Sequence, residues 1–419
     1  MGVVAGRGVR RIAIDTRPLG VPAFRRLWVS TAVTAVGSQL TTVAVPKQVF
    51  DITGSSGFVG LTGAFGLVPL LIFGLWGGAI ADAVDRRTVI LVSNVAVALT
   101  SVLFWGQAAL GIDNVWLILS LLAVQQAFVA VNMPTRTAAV ARIVPLELLP
   151  SATALTATVS SFGMVFGPLL AGALMPLAGL PVLYLIDSLG LAAATVMMIK
   201  FPKMKPLDGV KRTAGLRDIV DGFRYLAAKN VLLASFLLDI IAMVAGMPRA
   251  LFPEMAERTF GDPHGGGLAL GWLYAAIPIG ALLCGLASGW IGNIRRHGVG
   301  VTVAVCAWGA AVIGFGLADA LWLAVACLVL AGAADMVSMV YRSAILQSAA
   351  TDEMRGRMQG VFTVVVAGGP RVADLLHGWT AAGVGTATAA TGGGVLVIVL
   401  AVVAVACLPA FWRYVAPAG

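Results

Sequence analysis

RTAAVARIVPLELLPSATALTATVSSFGMVFGPLLAG occupies positions 136–172, and RSAILQSAATDEMRGRMQGVFTVVVAGGPRVADLLHG occupies positions 342–378. The two stretches align without a gap, 206 positions apart, and each is a short polar turn followed by a long apolar helix rich in glycine. The matched pairs include Arg136 and Arg342, Glu147 and Glu353, Gly163 and Gly369, and Gly172 and Gly378. A repeat at about half the chain length predicts two copies of one fold unit rather than a solenoid.

The composition indicates that both copies lie in a membrane. Hydrophobic residues make up 59% of the 419 residues and charged residues only 11%, whereas about a quarter of the residues in soluble domains are charged. The mean hydropathy is +0.95, and apolar runs of about 20 residues, each long enough to cross a bilayer, recur along the chain. The 50 glycines are typical of membrane helices that pack closely. We therefore expect an all-α integral membrane protein, and a soluble enzyme is excluded.

Twelve apolar segments are predicted to span the membrane, six in each half. Their approximate ranges are 24–49, 57–81, 88–110, 114–135, 151–177, 180–200, 231–257, 268–292, 298–318, 320–344, 357–383 and 388–412. The first bundle then occupies 24–200 and the second 231–412, with a basic linker at 201–230 and tails at 1–23 and 413–419. Six plus six spans in parallel repeat are typical of transporters whose substrate site lies between the halves.

The distribution of positive charge predicts the orientation. Most of the 28 Lys and Arg residues fall in the N-terminal tail, the linker and the loops on the same side, and loops rich in these residues stay in the cytoplasm. We expect both termini in the cytoplasm and a retained first span in the inner (cytoplasmic) membrane, because no signal-peptide cleavage site is evident. The net charge of +9 then reflects orientation and attraction to anionic inner-leaflet lipids, not nucleic-acid binding. The spacing of the four cysteines fits neither a metal site nor a disulfide framework.

The loop between the second and third predicted spans reads Gly78-Ala-Ile-Ala-Asp82-Ala-Val-Asp85-Arg86-Arg87. It resembles the G-x-x-x-D-R-x-G-R-R motif of the major facilitator superfamily, with substitutions at positions 83 and 85. The resemblance implies that Gly78, Asp82, Arg86 and Arg87 belong to a gate, a reversible contact between the second and eleventh helices. A charged turn that only fixes the topology is the alternative.

The fifth span contains Gly163-x-x-x-Gly167-Pro168-x-x-x-Gly172, which resembles the motif of exporters in the same superfamily. The glycine spacing opens a flat helix face, and Pro168 removes a backbone hydrogen bond and permits a bend. This resemblance favours export over import.

The segments 271–281 and 355–360 resemble the siderophore and drug exporters of the drug:proton antiporter branch. The resemblance implies a monomer that exports a siderophore or an amphiphilic drug and needs protons but no cofactor. No G-x-x-x-x-G-K-[ST] motif is present, so an ion gradient must supply the energy. Multidrug efflux with no siderophore role, nutrient symport, and a sensor or assembly protein that transports nothing are the open alternatives.

Ionisable residues inside apolar spans are costly and are therefore functional candidates. The proton-coupling candidates are Asp239, Asp335, Arg371, Asp374 and His377. The last three are spaced i, i+3 and i+6, so that neighbours can touch, and a carboxylate or an imidazole beside a cation can bind a proton. A purely structural Arg371–Asp374 pair is the alternative. Asp187 is expected to be structural, because the sixth span is peripheral in this architecture.

Two repeat-related cations, Lys47 and Arg249, fall in the outer halves of the first and seventh spans. We expect them either to face an anionic substrate or to extend to the outer headgroups. The uncharged substrate-binding candidates are Gln39, Gln125 and Gln126. The residues expected at the cytoplasmic gate are Arg136, Arg342, Glu147 and Glu353.

Overall fold

The computed structural model describes residues 15–204, 216–289, 294–349 and 351–415. Within these ranges the side chains at 75–83, 216–220, 223, 352–353, 355–357, 359–360 and 363 are outside the description. The α-helices are α1 (Pro22–Thr53), α2 (Ser56–Ala83), α3 (Arg86–Ala109), α4 (Val115–Ile143), α5 (Leu149–Ile199), α6 (Leu216–Ala228), α7 (Asn230–Gly246), α8 (Phe252–Arg258), α9 (Leu268–Leu286), α10 (His297–Gly316), α11 (Leu321–Ala349), α12 (Asp352–Val384), α13 (Thr386–Cys407) and α14 (Pro409–Trp412). Short 3₁₀ helices lie at Arg17–Gly20, Leu146–Leu148 and Arg249–Leu251.

Local sequence signals explain where several helices begin and end. The Asp85 carboxylate caps α3 by accepting a hydrogen bond from the Arg87 amide at 2.8 Å, and Asn114 caps α4 through the Leu117 amide at 3.1 Å. Side-chain oxygens at these positions satisfy amides that have no partner inside the helix. Gly54 ends α1 with φ of 61°, a conformation that favours glycine.

Three predicted spans differ from the observed helices. The fifth and sixth predicted spans form one run, α5, broken only at Gly179, where φ is 76°. The seventh predicted span is interrupted: α7 ends at Gly246, and the chain resumes as the 3₁₀ turn Arg249–Leu251 before α8. Pro248 lies in this break, and proline cannot donate the hydrogen bond that a continuous helix requires.

The two bundles contact each other through two repeat-related helix pairs, α2 with α12 and α5 with α9. Glycines set the separation in both pairs. A Cβ added at Gly172 would lie 2.8 Å from the Gly271 Cα, and a Cβ added at Gly60 would lie 2.7 Å from the Asp374 carbonyl oxygen. Both are closer than packed atoms tolerate, so these positions require glycine for the helices to meet.

Nine helices in the described part of the chain are long and apolar enough to cross a membrane, and one of them is the long run Leu146–Ile199. Together with the all-helical architecture, this confirms an integral membrane protein. We call the end of the bundle that carries α6 and the 3₁₀ helix Arg17–Gly20 the linker end, and the opposite end the distal end.

The halves are joined by polar contacts at the distal end. The fully buried Lys47 ammonium of the first half lies 2.5 Å from Asp51 and also pairs with Glu257 of the second half. The Ser56 hydroxyl donates to Glu254 at 2.5 Å, and Arg258 donates to the Gly54 carbonyl at 3.1 Å. We call these contacts the distal latch.

Lys47, expected either to face an anionic substrate or to extend to the outer headgroups, belongs to the distal latch. Lys47 is not among the residues that line the cavity between the halves, because Asp51 and Glu257 hold its ammonium in the distal contact. His264 lies beside the same carboxylates, 3.4 Å from Glu257 and 3.8 Å from Asp51. The ammonium lies within ion-pair distance of both carboxylates and neutralises one of their two negative charges.

Glu257→Gln is expected to open the distal end more often, because it removes the charge that holds Lys47 from the opposite half. A single cysteine at Ala381, buried at the distal end of α12, should then react with a maleimide about tenfold faster, which corresponds to about 1.4 kcal/mol. The protein used would lack its four native cysteines. Asp113→Asn removes an exposed distal carboxylate and should leave the rate unchanged; equal rates in the two variants would contradict the latch.

Candidate functional site

A cavity of about 1030 Å³ lies between the two halves. Its volume is at the upper end of the range for sites that enclose small organic ligands. Its wall runs from Trp28 and Thr153 near the linker end to Pro46 and Arg249 beneath the distal latch. Among the described residues, the cavity is closed at the distal end by the latch, and its lining continues to the linker end.

The end of the cavity nearest the latch, which we call the cavity floor, carries two guanidinium groups and one carboxylate. Arg249 donates to the Asp374 carboxylate at 3.0 Å. Arg371 donates to the Gln126 amide oxygen of the opposite half at 3.0 Å and to the Ala367 carbonyl at 2.7 Å. Asp374 is thus neutralised by Arg249, from the break between α7 and α8, while Arg371 interacts with neutral oxygens. The Arg371–Asp374 pair that the sequence left open is not formed in this arrangement.

The three glutamines that are substrate-binding candidates share one location. Gln39, Gln125 and Gln126 all line the cavity. Gln126 holds Arg371, and Gln125 donates to the Ser101 hydroxyl at 3.2 Å. Amide groups in these positions offer hydrogen bonds to a polar ligand without adding charge.

The exporter motif forms part of the packing around this cavity. A Cβ at Gly163 would lie 2.9 Å from the Ala35 backbone of α1, and one at Gly167 would collide with the Gln39 side chain. Gly172 forms the close contact with α9 described above, and Pro168 lies inside the helix. The motif therefore positions both α1 and α9 against α5.

His377 is separated from the cavity. Its Nε2 lies 2.9 Å from the Ala245 carbonyl of α7, and the side chain is buried outside the cavity lining. The histidine therefore contributes to the contact between α12 and α7 in this conformation. It follows Asp374 by three residues, but it does not line the cavity as Asp374 does.

Two intramembrane carboxylates of the second half, Asp239 and Asp335, form a cluster with Arg342. The Arg342 guanidinium pairs with Asp239 of α7 and lies 3.5 Å from Asp335, two turns earlier in α11. Asp239 and Arg342 are almost fully buried. Two carboxylates share one guanidinium here, so the cluster carries a negative charge unless one carboxylate is protonated.

The repeat-related arginine of the first half has a different environment. Arg136 donates to Asn132 at 2.7 Å, to Thr31 and Asn94 at 3.1 Å and to Ser30 at 3.3 Å, all neutral oxygens. None of the described carboxylates pairs with it, and it lines the cavity. Arg136 therefore places a positive charge at the cavity wall.

The two predicted gates are described only in part. Glu147 is exposed at the linker end, whereas the side chains of Glu353 and Asp82 and the surroundings of Gly78 lie outside the description. Arg86 donates to the Ala138 carbonyl at 3.1 Å, and Arg87 donates to the Ile199 carbonyl. These two arginines therefore connect the start of α3 to α4 and α5 within the first half.

Sequence reasoning missed two features of the site. Glu254 and Glu257 are not among the candidate residues predicted from the sequence, although a carboxylate next to a break in a span is a signal for a helix-end contact. Asp187, expected on a peripheral helix, borders the cavity instead. Its position three residues after Tyr184, which is also fully buried, marks a polar face inside the bundle.

Arg249 and Asp374 should show strong mutual dependence in a double-mutant cycle. Removing one partner leaves the other charged in a mostly apolar wall, so replacing both with Met and Leu should restore part of the stability lost in each single variant. We expect a coupling of about 1–3 kcal/mol in unfolding of the purified protein. The exposed pair Asp15 and Arg17, at 2.8 Å, is the control and should couple far less; equal coupling in the two pairs would contradict the assignment.

The comparisons with known proteins agree with this architecture. A family model described as a transmembrane secretion effector matches residues 15–413. The enterobactin exporter EntS of Shigella boydii serotype 4 is 29% identical over 383 residues, which cover 90% of each chain, and that of Citrobacter koseri has the same values.

Solved structures show the same fold at low identity. A bacterial homolog of the human lysosomal transporter Spinster, inward-facing and unoccupied, has a TM-score of 0.69 at 15% identity and covers 95% of this chain and 97% of its own. The nucleoside transporter NupG has a TM-score of 0.72 at 13% identity and covers 94% of this chain and 99% of its own. The predicted resemblance is confirmed: the chain belongs to the transmembrane secretion effector family, a membrane transporter family of the major facilitator superfamily.

Proposed function

We propose that the protein is a proton-coupled secondary exporter of an anionic amphiphile of the siderophore class, working by alternating access. One observation carries the proposal: a large cavity lies between the halves, closed at the distal end by a polar latch, and its lining continues to the linker end. Twelve spans and a monomer are part of this proposal.

The two ends of the cavity are assigned to compartments by charge. The linker end carries most of the Lys and Arg residues, which supports a cytoplasmic location for this end and for both termini. The conformation described here would then receive substrate from the cytoplasm. Opening the distal latch while the linker end closes would release the substrate on the other side of the inner membrane.

The cavity lining supports an anionic amphiphile. Three guanidinium groups, Arg136, Arg249 and Arg371, line it together with two carboxylates, Asp187 and Asp374. Apolar side chains such as Val129 and Leu122 fill much of the remaining wall. A ligand with catecholate or carboxylate groups on an apolar scaffold matches both features, and the enterobactin exporters are the relatives that suggest this chemistry.

Proton coupling is supported by carboxylates whose charge is not fully balanced. The cluster of Asp239, Asp335 and Arg342 has one carboxylate more than it has cations, so protonation would neutralise it. Asp374 is the second candidate, because an anionic substrate that binds Arg249 would compete with its carboxylate. Arg371 and His377 would then tune the charge around Asp374.

The proposal is tested by transport into proteoliposomes with enterobactin as the anionic probe and ethidium as a cationic one. A proton gradient with the acid side inside the vesicles should drive accumulation of enterobactin, because protons leave as the substrate enters. Collapse of the gradient with an uncoupler should abolish this accumulation. Accumulation that is independent of the gradient would contradict proton coupling. A gradient of the opposite sense driving uptake would indicate symport instead.

Arg371→Gln is expected to raise the KM for enterobactin about tenfold, since one charge-assisted contact is worth about 1.5–3 kcal/mol. Ethidium transport should be affected much less, because a cation gains nothing from this guanidinium. Arg295→Gln removes an exposed cation near the linker end and is the control. Equal effects of Arg371→Gln on both probes would contradict anion binding at the cavity floor.

A further inference from the structure

The carboxyl group of Asp187 lies in the wall of the first half, among three helices. Its residue is 1% exposed and borders the cavity. The hydroxyl groups of Thr41 in α1 and Ser101 in α3 both donate to the same oxygen, Oδ2, at 2.7 and 2.8 Å. The second oxygen, Oδ1, is buried and has no hydrogen-bond partner.

The backbone of α1 is shaped to accept this carboxyl group. A Cβ added at Gly37 would lie 2.6 Å from Asp187 Oδ1, so the glycine leaves the space that Oδ1 occupies. Any larger residue at position 37 would push the carboxyl group away from Thr41.

None of the described cations balances Asp187. The charged residues on the packed helices are Arg25, Arg26, Lys47 and Asp51 of α1, Arg86 and Arg87 of α3, and Arg136 and Arg142 of α4. Lys47 is held by the distal latch and Arg136 by neutral oxygens, and the side chains that interact with Asp187 are Thr41 and Ser101. The titratable neighbour on its own helix is Tyr184, whose hydroxyl donates to Gln48 at 2.9 Å.

A buried carboxylate with two neutral donors and no cation is costly, so a positive charge must accompany it when the site is dry. A hard metal ion requires about six or more oxygen ligands. The described neighbours supply two hydroxyl groups, and both already donate to Oδ2. A proton on Oδ1 needs no further ligands, and the adjoining cavity gives it a route to water.

A hydrogen-bond chain connects Asp187 to the substrate side of the cavity. Gln125, which lines the cavity, donates to Ser101 at 3.2 Å, and Ser101 donates to Asp187. A protonated Asp187 is a weaker hydrogen-bond acceptor than its carboxylate. Protonation therefore releases the Ser101 hydroxyl and changes the geometry with which this hydroxyl accepts the hydrogen bond from Gln125. Protonation and ligand binding at this wall then affect each other reciprocally.

We infer that Asp187 is a proton-binding site of the first half, coupled through Ser101 to the ligand-facing Gln125. The coupling of this site to transport rests on the proposed export function, whereas proton binding itself does not. The site is separate from the carboxylate clusters of the second half, Asp239 with Asp335 and Asp374 with Arg249.

Infrared difference spectroscopy of the purified protein during a pH titration tests proton binding directly. The wild type should show a titrating carboxylic-acid carbonyl band that is lost in Asp187→Asn. Ser101→Ala removes one donor to Oδ2 and should shift both the frequency and the midpoint of that band. The exposed Asp113→Asn should retain the band, and its retention in Asp187→Asn would overturn the proposal.

Transport assays test the coupling. Asp187→Asn keeps an oxygen that accepts from Thr41 and Ser101, so the fold should be preserved. Gradient-driven accumulation of enterobactin should then fall about tenfold more than exchange of labelled for unlabelled enterobactin measured without a gradient. Loss of exchange together with accumulation, or an unchanged accumulation, would overturn the coupling. If accumulation of enterobactin by the wild type is independent of the proton gradient, the proposed function is refuted. The infrared result alone then decides whether Asp187 binds a proton.

Discussion

Charge balance inside an apolar bundle is the constraint on which the rest of this structure depends. A charge removed from water must find an opposite charge or a set of hydrogen bonds. Lys47 pairs with Asp51 and Glu257, and the pair with Glu257 joins the two halves at the distal end. Arg249 pairs with Asp374, and this ion pair forms the floor of the cavity beneath that contact. The shape of the transport pathway therefore follows from where each buried charge is neutralised.

The internal repeat supplied the scaffold, and the two copies then diverged in charge. The repeat partners Gly172 and Gly378 both lie at contacts between the halves, where a Cβ would meet the backbone of the facing helix. The arginines Arg136 and Arg342 are also repeat partners, yet only Arg342 has carboxylates beside it. Close packing needs the same residue in both halves, whereas charge can be placed in one half alone because the pathway is shared.

Much of the fold could be predicted from the sequence because it depends on short-range signals. Apolar runs, the cap at Asp85 and the glycine at 179 determine most helix bounds, and the resemblance pointed to the correct family. The charge pairs could not be predicted in the same way. Lys47 and Arg249 match in the repeat, but the break at Pro248 turns the second half's chain so that Arg249 faces the cavity while Lys47 faces Glu257. The spacing of Arg371 and Asp374 along the helix would allow them to pair, but in the folded structure Asp374 pairs with Arg249 instead.

Asp187 shows why a helix at the edge of a bundle should not be assumed to be structural. Exposed apolar side chains such as Ile186 and Leu189 lie along one face of its helix, but the Asp187 side chain reaches inward between α1 and α3, where Gly37 leaves room for it. A purely structural carboxylate would use both of its oxygens, because an unsatisfied buried acceptor costs about 1–3 kcal/mol. Here both donors converge on one oxygen and the other is left bare. Retaining such a group is reasonable only where its second oxygen has a further partner during the transport cycle, and a proton is the partner that this space admits.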